Sequence, residues 1–125
     1  MKWSLRRRRT GETGEQIAAR YLFRKGFRLL ERNYRCDLGE IDLIAEDHGT
    51  VVFIEVKTRK SLASGAPEEA VDREKRRKIR RAADWYLQPW SRWPPRTRFD
   101  VVGIELDEND RVIDIRHTPG AFEAE

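Results

Sequence analysis

Hydrophobic positions recur with two different periods along the chain, and the two periods predict helices and strands. Thr13 and Gln16 have capping-box spacing at the start of a helical pattern that Gly26 ends. The predicted elements are a helix to about residue 25, strands at about 27–35, 39–46 and 51–58, a helix at about 67–87, and strands at about 98–106 and 112–117. This order, α-β-β-β-α-β-β, predicts an α/β domain with a mixed central sheet that carries helices.

The length of 125 residues suits one compact domain, which we assign to residues 11–117. Residues 1–10 are expected to form a basic disordered arm, and residues 118–125 a flexible tail. Trp85, Trp90 and Trp93 lie close to prolines, and we predict that they close a small core. In the alternative interpretation they are contact residues of an adaptor that binds a partner protein.

The central hairpin carries the candidate chemistry. Asp47 and Thr50 flank a short turn in which Gly49 can adopt positive φ. Counting outward from that turn places Asp42 directly opposite Glu55, with Cβ atoms roughly 4.5–5.5 Å apart. Alternation along the strand places Lys57 on the same face as Glu55. The other face of the hairpin is expected to be wholly apolar, formed by Ile41, Leu43, Ala45, Val52, Ile54 and Val56.

Two carboxylates that face each other repel unless a cation lies between them. Mg²⁺ takes such oxygen sites while it keeps several waters and shares a substrate phosphate. Lys57 could then orient an attacking water or stabilise charge that develops on phosphate. In the alternative interpretation this is a solvated strand face, where Glu40 pairs with Lys57 and Asp42 is merely exposed.

Two charged residues interrupt the apolar stripes of the predicted helices. Glu15 points toward the buried side of the first helix, either as a third acidic group near the metal or as a partner of the helix dipole. Lys75 lies between Val71 and Ile79 on the stripe of the second helix. It either aims its ammonium group at phosphate near the acidic pair or reaches past the apolar stripe to solvent.

Composition narrows the class of partner. The net charge is +4, and the excess lies in two arginine clusters, which indicate a polyanion such as nucleic acid. The alternative is an ordinary charged helix surface. The single cysteine, Cys36, excludes a disulfide within the chain, and two histidines argue against histidine-based nuclease chemistry. No apolar stretch follows the basic start, so we expect a cytoplasmic protein without a membrane anchor.

The string Gly39-Glu-Ile-Asp-Leu-Ile-Ala45 followed by Val52-Phe-Ile-Glu-Val-Lys-Thr-Arg59 resembles the YraN-like, endonuclease-like family of the PD-(D/E)XK nuclease superfamily. The resemblance covers roughly residues 11–117. It implies a restriction-endonuclease-like α-β-β-β-α-β core, related to that of Holliday-junction resolvases. By position, it implies that Asp42, Glu55 and the Val56 carbonyl hold Mg²⁺, with Mn²⁺ as an alternative ion. It implies that Lys57 is the catalytic lysine and Glu15 the helix-borne acid.

These features lead to the hypothesis of a metal-dependent endonuclease that cleaves DNA and recognises its structure rather than its sequence. A non-catalytic nucleic-acid-binding module on the same fold is the alternative. A homodimer is possible. The residues expected to hold the nucleic-acid backbone are Lys75, Arg73, Arg76, Arg77 and Arg80, with Arg6, Arg7, Arg8 and Arg9 of the arm.

Overall fold

A computed structural model of the protein describes residues 12–60 and 72–122. The predicted order α-β-β-β-α-β-β is confirmed, and it is consistent with a restriction-endonuclease-like core. The elements are α1 (Gly14–Arg24), β1 (Arg28–Cys36), β2 (Gly39–Asp47), β3 (Thr50–Arg59), α2 (Arg73–Tyr86), a 3-10 turn (Gln88–Trp90), β4 (Arg96–Leu106) and β5 (Val112–Phe122). None of the helices in the described ranges is long and apolar enough to cross a membrane.

The five strands form one mixed sheet in the order β1-β2-β3-β4-β5. Among the strand pairs of the described residues, β3 and β4 are the parallel one, and α2 belongs to the crossover that connects them. The β2–β3 turn has positive φ at both His48 and Gly49, which matches the twist of the hairpin strands. Asp47 pairs with Thr50 across this turn, so the predicted register of the hairpin is confirmed.

One helix packs on each face of the sheet and forms its own core. The α1 core contains Ile17 and Leu22 of the helix together with Ile54 and Val102 of the sheet. The α2 core contains Ile79, Ala82 and Ala83 of the helix, and its aromatic members are Phe53, Phe99 and Phe122. A sheet covered on both faces explains why the central strands are apolar on both sides.

The ends of α1 follow the predicted caps. Thr13 and Gln16 exchange side-chain-to-backbone hydrogen bonds, Thr13 N–H to Gln16 Oε1 at 2.8 Å and Gln16 N–H to Thr13 Oγ1 at 3.2 Å. At the other end Lys25 is the C-cap and Gly26 has a φ of 98°, a conformation that glycine adopts without strain.

Two boundaries differ from the prediction. The second helix begins at Arg73, because Asp72 is extended and its side chain accepts a hydrogen bond from Lys75 N–H. The predicted start near residue 67, and Val71 of the predicted stripe, lie outside the described residues. The fifth strand continues to Phe122, whereas we predicted a tail from residue 118, because Phe122 stacks on Phe99 with ring centroids 5.0 Å apart.

The placement of the tryptophans corrects the sequence interpretation. Trp85, Trp90 and Trp93 are 55%, 47% and 82% exposed, so the prediction that they close a core is wrong. The α2 core is already filled by phenylalanines and by Tyr86, whose ring meets that of Phe53 at 6.0 Å.

Ile41 also lies on the other side of the sheet from the one predicted. We expected it on the face of Leu43 and Ala45, but it is buried in the α2 core together with Ile44. Two residues three positions apart cannot share a face in a regular strand. The alternation of β2 is therefore interrupted between them, in the segment that contains Asp42.

Candidate active site

Asp42 and Glu55 lie where the regular pairing of β2 with β3 ends. The paired positions run from the turn to Leu43 opposite Ile54. Beyond that pair, Asp42 and Glu55 are joined by a hydrogen bond between their side chains. There the Asp42 Oδ2 accepts a hydrogen bond from the Val56 N–H at 2.8 Å. A side chain thus takes a backbone donor at this point, which fixes the Asp42 carboxyl group next to β3.

Two lysines converge on the second carboxylate. Glu55 is only 4% exposed, and its Oε2 lies 2.8 Å from Lys75 Nζ and 3.7 Å from Lys57 Nζ. The alternative in which Glu40 pairs with Lys57 is wrong, because Glu40 pairs with Arg35 at 3.2 Å. The structure therefore brings together Asp42, Glu55, Lys57 and Lys75, which sequence reasoning had proposed from three separate elements.

The two carboxyl groups share a proton. Burial, the hydrogen bond with Glu55 and the charge of Glu55 raise the pKa of Asp42 to about 8. Burial also opposes ionisation of Glu55, but the hydrogen bond from Asp42 and the nearby Lys75 and Lys57 outweigh it and lower its pKa. At neutral pH the pair consequently holds one proton, mainly on Asp42, and one negative charge on Glu55.

The two lysines are shifted in opposite directions. Burial and the adjacent Lys75 lower the pKa of Lys57. Burial acts on Lys75 in the same direction, but the contact with Glu55 outweighs it and raises the Lys75 pKa. Lys75 is therefore the cation that neutralises Glu55, while Lys57 is displaced toward the range in which a lysine exchanges protons.

Asp42 and Glu55 are the candidate ligands for a divalent cation. Glu55 Oε2 is buried, and no described residue donates to it with hydrogen-bond geometry, although Lys75 Nζ is close. Within the described ranges, no group of three or more His, Cys, Asp or Glu side chains is placed to hold a metal ion. Mg²⁺ commonly uses one or two carboxylates and completes its shell with water and phosphate. Asp42 and Glu55 fit that pattern and do not fit a closed metal site built from protein ligands alone.

Glu15 approaches the pair from the other helix. It lies in the first turn of α1, half-buried, and its charge contributes to the raised pKa of Asp42. This approach depends on Gly14, where an added Cβ would lie 2.5 Å from Thr58 Oγ1 and 3.7 Å from a Val56 methyl carbon. The N-terminus of α1 can pack this closely on β3 because Gly14 has no side chain.

A groove of about 740 Å³ opens onto the acidic pair, between the β1–β2 turn and the start of α2. It is lined by more acidic than basic groups: the acidic ones are Asp37, Glu40, Asp42, Glu55, Asp72 and Glu74, and the basic ones are Arg35, Lys75 and Lys78. Such a surface attracts cations. A polyanion can approach it closely only when cations neutralise the carboxylates.

The arginines predicted to hold nucleic acid are distributed around α2 rather than gathered at the pair. Arg73 is exposed, Arg77 forms an ion pair with Glu74, and Arg80 is half-buried. Arg76 lies over the ring of Phe122 at 5.3 Å. Arg6, Arg7, Arg8 and Arg9 lie outside the described residues.

Sequence reasoning gave no role to Asp100, which the structure places at the centre of a buried network. Asp100 is fully buried and accepts hydrogen bonds from Arg98 Nε at 2.8 Å and Gly120 N–H at 3.0 Å. His117 Nε2 lies 2.7 Å from the same carboxylate, and its Nδ1 is 2.7 Å from Lys25 Nζ. Since Lys25 can only donate, His117 Nδ1 accepts, and Nε2–H donates to Asp100.

This network positions the strand beside the site. Asp100 is the parallel partner of Ile54, the residue before Glu55. In the sequence, the only sign of this network is that Asp100 is a charged residue between the apolar Phe99 and Val101 of β4.

The chain matches the family described as "Uncharacterised protein family UPF0102" over residues 14–104. It is 47% identical over 119 residues to a UPF0102 protein of Moorella thermoacetica, covering 95% of this chain and 99% of the relative. It is 49% identical over 105 residues to UPF0102 protein STH1475 of Symbiobacterium thermophilum, covering 84% and 89%. A third relative, UPF0102 protein Cpha266_0037 of Chlorobium phaeobacteroides, is 46% identical over 119 residues, with 92% and 94% covered.

Proposed function

Since the chain belongs to the Uncharacterised protein family UPF0102, we propose that it is a metal-dependent endonuclease that hydrolyses phosphodiester bonds of DNA. The observation that carries this proposal is the environment of Glu55. Its buried Oε2 faces two ammonium groups and lies beside a carboxyl group that needs a proton to remain there. A carboxylate pair of this kind is suited to a divalent cation and a phosphate.

Asp42 and Glu55 would hold the cation after Asp42 loses its proton. When bound, Mg²⁺ supplies Lewis-acid polarisation of the phosphoryl oxygen and an activated water. Lys57 is half-buried beside Glu55, where it orients the attacking water and stabilises charge on the phosphate. Lys75, which lies 2.8 Å from Glu55 Oε2, would be free to place its ammonium group on the phosphate if a cation took its place at Glu55.

The substrate preference follows from the type of contact available. The described cations of α2, among them Arg73 and Arg77, suit phosphates rather than base edges. Such contacts weaken with salt and carry no sequence information. We therefore propose that the protein recognises nucleic-acid structure rather than a particular sequence.

One observation favours the non-catalytic alternative. Lys75 and Lys57 already balance the charge of Glu55 without any metal ion. A nucleic-acid-binding module could retain such an ion pair for stability alone. The two functions differ in one measurable respect, since only the nuclease converts its substrate.

The test is a cleavage assay on single-stranded DNA, duplex, flaps and four-way junctions, with Mg²⁺ or Mn²⁺. We expect the protein to cleave at least one substrate, and Glu55→Gln to abolish cleavage while it retains DNA binding. The matched control is Glu40→Gln, which changes an exposed carboxylate of the same strand pair and should retain cleavage. Cleavage by Glu55→Gln at the normal rate would refute the proposed role, and binding without turnover on every substrate would favour the alternative.

A further inference from the structure

A cavity lined by aromatic side chains lies at the opposite end of α2 from the acidic pair. Trp90 and Trp93 line a cavity of about 290 Å³ together with Tyr86, Pro95 and Arg28. We call this cavity the Trp90–Trp93 pocket. Trp93 is 82% exposed and Trp90 is 47% exposed, so neither ring is consumed by the protein interior. Contiguous apolar groups at the surface mark binding sites, whereas apolar residues scattered singly do not.

The pocket is held in shape by short-range contacts. The Trp90 ring is tilted against Tyr86 with centroids 5.6 Å apart, and Tyr86 is itself packed on Phe53 of the core. The Trp93 N–H donates to Trp90 O at 3.0 Å. Pro95 forms part of the wall and restricts the backbone next to it. A preformed pocket loses little conformational entropy when a ligand binds.

The segment that contributes Trp90, Trp93 and Pro95 to the pocket carries positive charge. No Asp or Glu occurs between residues 88 and 99, whereas this segment contains Arg92, Arg96 and Arg98. Arg28 and Glu46, which also line the pocket, neutralise each other, and Arg98 is paired with Asp100. Arg92 and Arg96 are exposed, and neither has a carboxylate partner within residues 12–60 and 72–122. Exposed indoles interleaved with unpaired arginines are typical of surfaces that stack nucleobases and contact the adjoining phosphates.

The pocket and the acidic pair are placed to contact one nucleic-acid molecule. Val51 lines the pocket and Glu55 belongs to the pair, and both are on β3. Glu55 is four steps along the strand from Val51, about 13 Å at roughly 3.3 Å per residue. A cavity near the lower end of the ligand-binding range, roughly 300–1,000 Å³, suits one planar ring system.

From these observations we propose that the Trp90–Trp93 pocket binds an unpaired nucleobase of the nucleic acid whose backbone is bound at the acidic pair. The inference rests on the proposed function for the identity of the ligand. It adds a substrate preference, because a duplex whose bases are all paired offers no base to the pocket. Substrates with a single-stranded segment are therefore favoured.

The test measures binding rather than turnover, by fluorescence anisotropy with labelled oligothymidylate and with blunt duplex, with Ca²⁺ in place of Mg²⁺ to neutralise the carboxylates of the groove. Trp93→Ala should weaken binding of the single strand by roughly 5–150-fold, the range expected for one lost stacking contact. Binding of blunt duplex should change less than about twofold. The matched control is Trp85→Ala, since Trp85 is 55% exposed but does not line the pocket.

Three outcomes overturn the inference: unchanged single-strand binding by Trp93→Ala, an equal loss on blunt duplex, or an equal loss in Trp85→Ala. Absence of single-strand binding by the unmodified protein also overturns it and leaves a protein partner as the occupant. The outcome is separate from that of the proposed hydrolysis. A selective loss of single-strand binding in Trp93→Ala, with no cleavage by the unmodified protein, would support the pocket and refute the nuclease. Cleavage by the unmodified protein, with unchanged single-strand binding in Trp93→Ala, would support the nuclease and refute the pocket.

Discussion

Binding of Mg²⁺ to the Asp42–Glu55 pair at pH 7 is expected to release close to one proton. The pKa of Asp42 is raised to about 8, so at pH 7 roughly nine in ten molecules carry the shared proton. A cation and that proton compete for the same carboxyl oxygens. A proton competes most strongly at low pH, and the competition disappears above the pKa of Asp42. Because that pKa is raised, the competition extends to neutral pH.

The pKa of Asp42 also sets the size of the pH effect on Mg²⁺ affinity. The apparent dissociation constant for Mg²⁺ should be about 11-fold weaker at pH 7 than at pH 9 or above, and about 100-fold weaker at pH 6. Isothermal titration calorimetry in two buffers with different ionisation enthalpies would give both the affinity and the number of protons released. We expect about 0.9 proton at pH 7 and about 0.1 at pH 9.

Two variants make this measurement specific. Glu40→Gln changes an exposed carboxylate that pairs with Arg35, and it should retain the proton release. Asp42→Asn removes the titrating group and should abolish both the tight binding and the release. An affinity independent of pH between 6 and 9, with no released proton, would refute the assignment of a shared proton to this pair.

Two further predictions concern stability and are checked by urea unfolding. Asp100→Asn should lower the free energy of unfolding by about 1.5–3 kcal/mol, because it removes the buried charge that accepts from Arg98 and leaves Arg98 only its pair with Asp47. Asp114→Asn at an exposed ion pair should cost at most about 1 kcal/mol. Hydrogen bonds lower the pKa of Asp100, so the contribution of Asp100 to stability is present above its unfolded-state pKa and is lost as the pH falls through its folded-state pKa. Equal costs for Asp100→Asn and Asp114→Asn would contradict this account. Gly14→Ala should cost about 1–3 kcal/mol through the clash with Thr58 Oγ1, and adding Thr58→Ala should recover most of it; an unchanged stability of Gly14→Ala would show that α1 tolerates a side chain there.

The position of the acidic pair could be predicted because it depends on local geometry. The turn that contains Gly49 fixes the pairing of Asp47 with Thr50, and the paired positions as far as Leu43 opposite Ile54 follow from it. The alternation of β2 is interrupted beyond that point, so the face of Ile41 did not follow. The approach of Lys75 was foreseeable for a related reason, since a lysine on an apolar helical stripe must face the sheet.

The features that were missed depend on contacts between distant parts of the chain. The exposure of Trp93 results from a core already filled by phenylalanines of β3, β4 and β5, which no local pattern reveals. The extension of β5 to Phe122 has the same cause, because that ring stacks on Phe99 across the sheet. Asp100 received no role from the sequence because its partner His117 is 17 residues away, and Lys25, which contacts His117, is 75 residues away.

The central claim is that Glu55 serves a hydrolytic metal site. The most direct measurement is the single-turnover cleavage of a branched DNA substrate in Mg²⁺ by the protein and by Glu55→Gln, purified by the same route. Our account predicts cleavage by the unmodified protein and none by Glu55→Gln, with similar binding of the substrate by both. Equal cleavage by the two proteins would contradict it.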